Sequence, residues 1–124
     1  MGPRMRRSPP GAALRASRAV LRALDNDLRL RILALLYQER EGLPYSEIAT
    51  RLGLEDNSGL ARHLDLLVGA VVVANEVSRM AGKIRSVYFI TEWGIESLEG
   101  VGLGDPEVLD ELVHVGVRPA RARG

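Results

Sequence analysis

The side chains with most scope for chemistry in this 124-residue chain are its two histidines and its arginines. His63 and His114 fall in different predicted helices and the chain contains no cysteine, so a thiolate zinc site and a cysteine nucleophile are excluded. The spacings GxxxxGKS/T, GxSxG and HExxH are also missing from the sequence, which removes the common phosphate-binding, serine-hydrolase and zinc-protease arrangements. We therefore expect no enzymatic activity, no metal site and no cofactor.

The cationic side chains are concentrated in three parts of the chain, although the net charge is only +1. Residues 1–31 contain eight arginines and two aspartates, residues 79–91 contain three cations and no acid, and residues 118–124 contain three arginines. Residues 92–117, by contrast, contain seven acids and no lysine or arginine. Segregation of this kind favours a polyanionic partner for the basic parts. For the tails alone, a solvated surface is an equally good explanation.

The elements that must position these cations form, by prediction, one compact domain that is mainly α with a small β-hairpin, an α+β fold. Residues 1–11 predict a flexible basic arm and residues 118–124 a basic tail. The sequence has no signal-peptide pattern and no apolar run near the roughly 20 residues that span a bilayer. We therefore expect a cytoplasmic protein that makes no contact with a membrane.

Apolar periodicity and capping residues predict six helices. Two of them carry specific expectations: Asp27 and Arg31 are spaced for an ion pair, and Leu60, Leu64 and Leu67 form one buried stripe. The predicted helices cover residues 12–24, 27–39, 47–52, the leucine stripe up to Gly69, 92–100 and 107–115. The predicted N-caps are Asp25 or Asn26 for the second helix, Ser46 for the third, Asp56, Asn57 or Ser58 for the fourth, and Thr91 for the fifth. Short strands are predicted at 43–45, 71–77 and 86–90, the last two joined by a basic loop that turns at Gly82.

Four stretches occur in an order that is typical of one known fold, namely ALDNDLRLRILALL, YSEIATRLGL, LARHLDLLVGAVV and VYFITEWG. Across about residues 24–98 the chain resembles the winged helix–turn–helix regulators of the ArsR/MarR-like superfamily, particularly compact archaeal members. The resemblance implies a winged helix–turn–helix domain with its N-terminal helix over residues 12–103. A C-terminal amphipathic helix follows over residues 104–117.

The resemblance also implies a function, which is sequence- or shape-dependent binding of double-stranded DNA by a dimeric transcriptional regulator, a repressor. A recognition helix would enter the major groove while a basic wing lies on the backbone. The DNA-binding positions that match are Asn57, Ser58, Arg62 and His63 on the recognition helix, Thr50 and Arg51 on the preceding helix, and Arg79, Lys83 and Arg85 on the wing. We expect His63 to be half-packed against the domain.

The chain departs from the family pattern in ways that weaken direct base readout. Ala61 stands where the family has serine, and the acids Glu55, Asp56 and Asp65 would repel phosphate. We therefore expect affinity to depend on Arg62, the wing and the N-terminal arginines through counterion release. Two alternatives remain open: a winged-helix protein–protein interaction module of transcription or replication machinery, and an architectural protein that coats DNA.

Dimerisation is expected through the N-terminal and C-terminal helices, because each has an apolar side without an obvious partner in so short a chain. The alternative is that one or both helices fold back on their own domain. Trp93, at a position that is usually polar in the family, either lies on the dimer surface or covers the core.

Overall fold

A computed structural model of the chain describes residues 10–56 and 59–115. Asn57, Ser58, the basic tail and the first nine residues of the predicted arm therefore lie outside the described residues. The elements are α1 (Pro10–Leu24), α2 (Asp27–Gln38), β1 (Leu43–Pro44), α3 (Tyr45–Arg51), α4 (Leu60–Gly69), β2 (Val73–Met80), β3 (Lys83–Ile90), α5 (Glu92–Gly100) and α6 (Pro106–His114). This mixture of helices and a small antiparallel sheet confirms the predicted α+β class. None of the described helices has both the length and the apolar character needed to cross a membrane.

The core is centred on α2, whose Ile32, Leu33 and Leu36 are completely buried. The leucine stripe of α4 is buried as predicted, because residues four and seven apart return to the same side of a helix. Leu60, Leu64 and Leu67 all have an exposed fraction of 0%. Each buried leucine contributes roughly 2 kcal/mol by removal of apolar surface from water, so this stripe fixes one side of α4 against the domain.

The sheet has the order β1-β3-β2, with both pairs antiparallel. Ala81 and Gly82 connect β2 to β3 and both have positive φ, 52° and 78°, as a two-residue hairpin turn requires. The turn at Gly82 is confirmed, but the predicted loop around it is wrong. Met80 pairs directly with Lys83, so both strands continue to the turn and the three cations stand on strands.

Helix caps show where local sequence signals were correct and where they failed. The Asn26 side chain accepts a hydrogen bond from the Arg29 amide at 3.0 Å and caps α2, and the Thr91 hydroxyl accepts from the Gly94 amide at 3.0 Å and caps α5. The predicted Ser46 cap is wrong, because α3 begins at Tyr45 after Pro44. The prediction of a side-chain cap for α4 is also wrong. The N-cap residue is Gly59, which has no side chain to accept a hydrogen bond and whose φ of 92° glycine adopts readily.

Arg31 does not pair with Asp27, and this prediction is wrong as well. Its side chain is turned inward, with only 9% exposed. The guanidinium donates to the carbonyl oxygens of Leu52 at 2.7 Å, Leu112 at 3.0 Å and Val113 at 3.1 Å. These carbonyls lie at the C-terminal ends of α3 and α6, where carbonyl oxygens no longer have an N–H donor within their own helix. Burial lowers the pKa of Arg31, and its hydrogen bonds join α2, α3 and α6.

The two terminal helices differ in the apolar surface that they leave exposed. In α6, Leu109 and Val113 lie in the core against α2, so the apolar side of this helix folds back on its own domain and is not open to a partner. In α1, Ala23 is buried but Leu21 is 64% exposed. Trp93 on α5 is 44% exposed and borders the same groove as Leu21.

Candidate functional site

The exposed side of α4 lies opposite its leucine stripe. Ala61, Arg62, Asp65 and Gly69 are all exposed there. Within residues 10–56 and 59–115, the Arg62 guanidinium makes no hydrogen bond or ion pair. The Arg62 guanidinium is therefore available to an external hydrogen-bond acceptor. The buried leucines on the opposite side of α4 fix the helix that carries it. Asp65, almost one turn further along, gives this side a mixed charge.

His63 is a structural residue in this arrangement. Its Nδ1 lies 3.0 Å from Nη1 of Arg29, and because arginine can only donate, the imidazole accepts with an unprotonated Nδ1. Arg29 is itself buried, and it also donates to the carbonyl oxygens of Arg22 at 2.8 Å and Ala23 at 3.1 Å in the last turn of α1. His63 is half-buried, as expected, and the network fixes α1 and α2 to α4.

This network predicts a pH-dependent stability. Burial, Arg29 and Arg62 all hold the pKa of His63 below its usual value. The folded state therefore favours neutral imidazole, while the unfolded chain takes up the proton near pH ~6.5. The contribution of neutral His63 to the free energy of unfolding is fully present above that pH, and it is lost as the pH falls through the lower pKa of the folded state.

We expect the free energy of unfolding of His63→Asn to fall less steeply than that of the wild type as the pH is lowered below about 6.5. The asparagine oxygen can still accept from Arg29 but does not titrate. Urea unfolding at several pH values measures the difference. His114→Asn is the matched control, because His114 is exposed on α6 and its Nδ1 lies against the Asp110 carbonyl oxygen. Parallel plots of unfolding free energy against pH for the wild type and His63→Asn would contradict this prediction, because they would mean that His63 has the same pKa in the folded and unfolded states.

The predicted contacts on α3 already have partners within the chain. Arg51 forms ion pairs with Glu39 at 2.8 Å and with Glu47 at 3.6 Å. The Thr50 hydroxyl donates to the Ser46 carbonyl oxygen at 3.0 Å. A phosphate at α3 would have to compete with two carboxylates for Arg51, so α3 contributes little positive potential to this surface.

The β2–β3 hairpin divides its three cations between two faces. Opposite residues of an antiparallel pair share a face and neighbours along a strand alternate. Arg79 pairs with Ile84 and lies on one face, whereas Lys83 and Arg85 lie on the other. All three are exposed, and none forms an ion pair among the described residues. The predicted basic tip is therefore two separate cationic surfaces.

Two exposed apolar residues accompany Arg79 on its face and were missed by sequence reasoning. Val77 is 74% exposed and Ile84 is 66% exposed. The alternation in KIRSV could have indicated that Ile84 faces away from Lys83 and Arg85. Tyr88 lies on the same face, further from the turn. Burial raises its pKa, and the negative charge of Asp65 on α4 raises it further.

Of the predicted DNA contacts, Arg62 and the three hairpin cations are exposed without ion-pair partners among the described residues, whereas His63, Thr50 and Arg51 are engaged within the chain. Arg18 and Arg22, two of the N-terminal arginines, line a groove together with Asp65 of α4. Among the described residues there is no group of three histidine or acidic side chains arranged to hold a metal ion.

A family model described as a domain of unknown function, DUF7347, matches residues 17–84, more than half of the chain. The chain belongs to the DUF7347 family. The DUF7347 match begins within α1 and ends at the second residue of β3, so it contains α4 and the hairpin turn. No curated protein and no solved structure matches the chain significantly.

Proposed function

We propose that this DUF7347 protein binds double-stranded DNA as a dimeric winged helix–turn–helix regulator of transcription, with α4 in the major groove and the β2–β3 hairpin on the backbone. The observation that carries the proposal is the position of Arg62. Its guanidinium is exposed and has no partner among the described residues, while Leu60, Leu64 and Leu67 hold the opposite side of α4. A helix held in this way can present an arginine to the guanine edge or to a phosphate.

The hairpin supports the same function through its charge. Arg79, Lys83 and Arg85 are exposed and lack ion-pair partners among the described residues. Cations of this kind release counterions when they neutralise phosphates, which gives affinity without sequence preference. Asp65 and the paired Arg51 limit base and phosphate contacts elsewhere. The proposed binding is therefore strongly salt-dependent and of modest sequence specificity.

Substitution of the three hairpin cations with alanine is expected to flatten the salt dependence of duplex binding. Each lost phosphate contact reduces the slope of log affinity against log salt by ~0.9. Because Arg79 lies on the face opposite to Lys83 and Arg85, the triple variant should lose roughly 1–3 units of slope, according to how many of the three cations contact phosphate. Arg62→Ala should weaken binding by about 1–3 kcal/mol and relax sequence preference. Fluorescence anisotropy of a labelled duplex over a salt series measures both quantities.

Arg40→Ala is the control, because Arg40 is exposed but stacks on Tyr37, outside the proposed surface. An unchanged slope in the triple variant would remove the hairpin from the mechanism. Absence of duplex binding even at low salt would refute the DNA-binding function itself.

The dimer is proposed to form through the apolar surface between α1 and α5. Leu21, Trp93 and Val101 are 64%, 44% and 54% exposed, and they border one groove of about 300 Å³ with Val20 and Leu24. A two-fold pair formed on this surface would place two copies of α4 about one turn of DNA apart, ~34 Å, and would recognise a roughly palindromic site.

Leu21→Glu is expected to convert the dimer to a monomer, because a carboxylate would be buried without a partner at the centre of the interface. Light scattering should report the mass of two chains for the wild type and of one chain for the variant. Val115→Glu changes an exposed apolar residue (50% exposed) that does not line this groove, and it should leave the mass unchanged. A monomeric wild type would exclude the interface.

A second candidate function, contact with a protein of the transcription or replication machinery, is favoured by the exposed Val77 and Ile84. Apolar residues at the end of a hairpin suit a protein surface better than a phosphate backbone. For this function, Val77→Ser with Ile84→Ser should abolish partner binding, while no duplex binds at any salt concentration.

A further inference from the structure

A groove between α1 and α4, here called the α1–α4 groove, has opposite charges on its two walls. The α1 wall carries Arg18 and Arg22, the α4 wall carries Asp65, and Ala19, Leu66 and Ala70 provide apolar surface between them. Its volume is about 530 Å³, within the range of small-molecule sites. The groove is therefore large enough for a small molecule with separated charges.

The α1 wall carries two arginines whose side chains have no partner among the described residues. Arg18 and Arg22 lie four residues apart and are therefore neighbours on α1, and both are exposed. Neither side chain has a hydrogen bond or ion pair within the described part of the chain. Guanidinium groups bind carboxylates through paired, charge-assisted hydrogen bonds. The Arg29 side chain donates to the Arg22 and Ala23 carbonyl oxygens of α1 and to His63 of α4, so the end of α1 is fixed relative to α4.

The opposite wall suits a cationic group beside an apolar one. The exposed Asp65 carboxylate projects from α4 next to the half-buried Leu66. Gly69 leaves space at this wall, since a Cβ added there would meet nothing within 4 Å. A DNA phosphate would be repelled by Asp65 and would gain nothing from the apolar surface, so the groove fits a different ligand.

We propose that the α1–α4 groove binds a small zwitterion with an apolar side chain, of the class of free aliphatic amino acids. The carboxylate lies against Arg18 and Arg22, the ammonium group against Asp65, and the side chain over Leu66 and Ala70. Each charge of the ligand then meets an opposite charge of the protein.

Occupancy of the groove would also change the surface around Arg62, because Arg62 and Asp65 are three residues apart on the same exposed side of α4. This regulatory consequence rests on the proposed DNA-binding function. The ligand binding itself does not, and it is measured without DNA.

The test titrates the full chain with L-leucine, with 4-methylpentanoate, which lacks the ammonium group, and with 3-methylbutylamine, which lacks the carboxylate. Calorimetry and amide NMR shifts of Leu66, Gly69 and Ala70 report binding. L-leucine should bind, and each analogue should bind about tenfold or more weakly, because one charged wall is left without its partner. Arg18→Gln with Arg22→Gln should abolish the preference for leucine over the amine, and Asp65→Asn the preference over the acid.

Gly69→Leu fills the groove and should remove binding while the circular dichroism spectrum is retained. Arg40→Gln is the matched control and should leave binding unchanged. Failure of all three compounds to bind, or equal binding of all three, would overturn the proposal. If no compound binds and the Arg18→Gln, Arg22→Gln variant loses duplex affinity, the two arginines are DNA contacts instead. If leucine binds but no duplex does, the groove stands and the DNA-binding function fails.

Discussion

Substitution of Gly94 with alanine is expected to lower the free energy of unfolding by about 3 kcal/mol or more, as overpacking against a fixed backbone does. A Cβ at this position would stand 2.2 Å from the Val72 carbonyl oxygen and 2.7 Å from Cγ1 of Ile90. The first turn of α5 cannot easily move away from Val72, because the Thr91 amide donates to the Val72 carbonyl oxygen at 3.0 Å. The Thr91 hydroxyl also donates to the Val71 carbonyl oxygen at 2.6 Å.

Gly100→Ala in the same helix is the matched control for this prediction. A Cβ at Gly100 would meet nothing within 4 Å, so alanine should stabilise the helix by up to about 1 kcal/mol. Urea unfolding of the two variants gives both values. Equal stabilities would mean that α5 does not approach Val72 as closely as described.

Arg31→Met is expected to lower the free energy of unfolding by about 3 kcal/mol, because removing one partner of a buried hydrogen-bonded group leaves the others unsatisfied. The carbonyl oxygens of Leu52, Leu112 and Val113 would all lose their donor. Relief of the buried charge offsets part of this loss, and methionine retains much of the packing. The melting temperature should fall by about 12 °C for a domain of this size.

Arg40→Met provides the comparison on the surface, where Arg40 donates to the Tyr37 carbonyl oxygen and is exposed. Its effect should stay below about 1 kcal/mol. An Arg31→Met protein as stable as the wild type would show that the three hydrogen bonds only balance the desolvation of the guanidinium.

Local signals in the sequence predicted much of the fold. The leucines of α4, the Asn26 and Thr91 caps and the turn at Gly82 depend on neighbours within about one helical turn or one hairpin, so spacing alone identifies them. Arg31 shows why other features could not be predicted. Its acceptors include Leu112 and Val113, which lie 81 and 82 residues further along the chain, and a nearby aspartate offered a plausible but incorrect partner.

The candidate site was predictable in its residue types but not in its pairings. The sequence identified Arg62 and the hairpin cations as candidates. It could not show that Glu39 holds Arg51, because that pair forms only when the end of α2 packs beside α3. The division of the hairpin cations between two faces follows from a register that depends on the strands reaching the turn. The α1–α4 groove arises from packing between two helices that are distant in sequence.

Val71 has a consequence for how the hairpin is attached to α4. This β-branched residue has a φ of 64°, a left-handed conformation that costs roughly 1–3 kcal/mol for such a side chain. Its amide donates to the Val68 carbonyl oxygen at 2.9 Å, and its own carbonyl accepts from Thr91. The strained backbone is therefore held by the burial of Val72 and Val73 that follow it and by the Thr91 contact, and together they fix the direction in which the hairpin leaves α4.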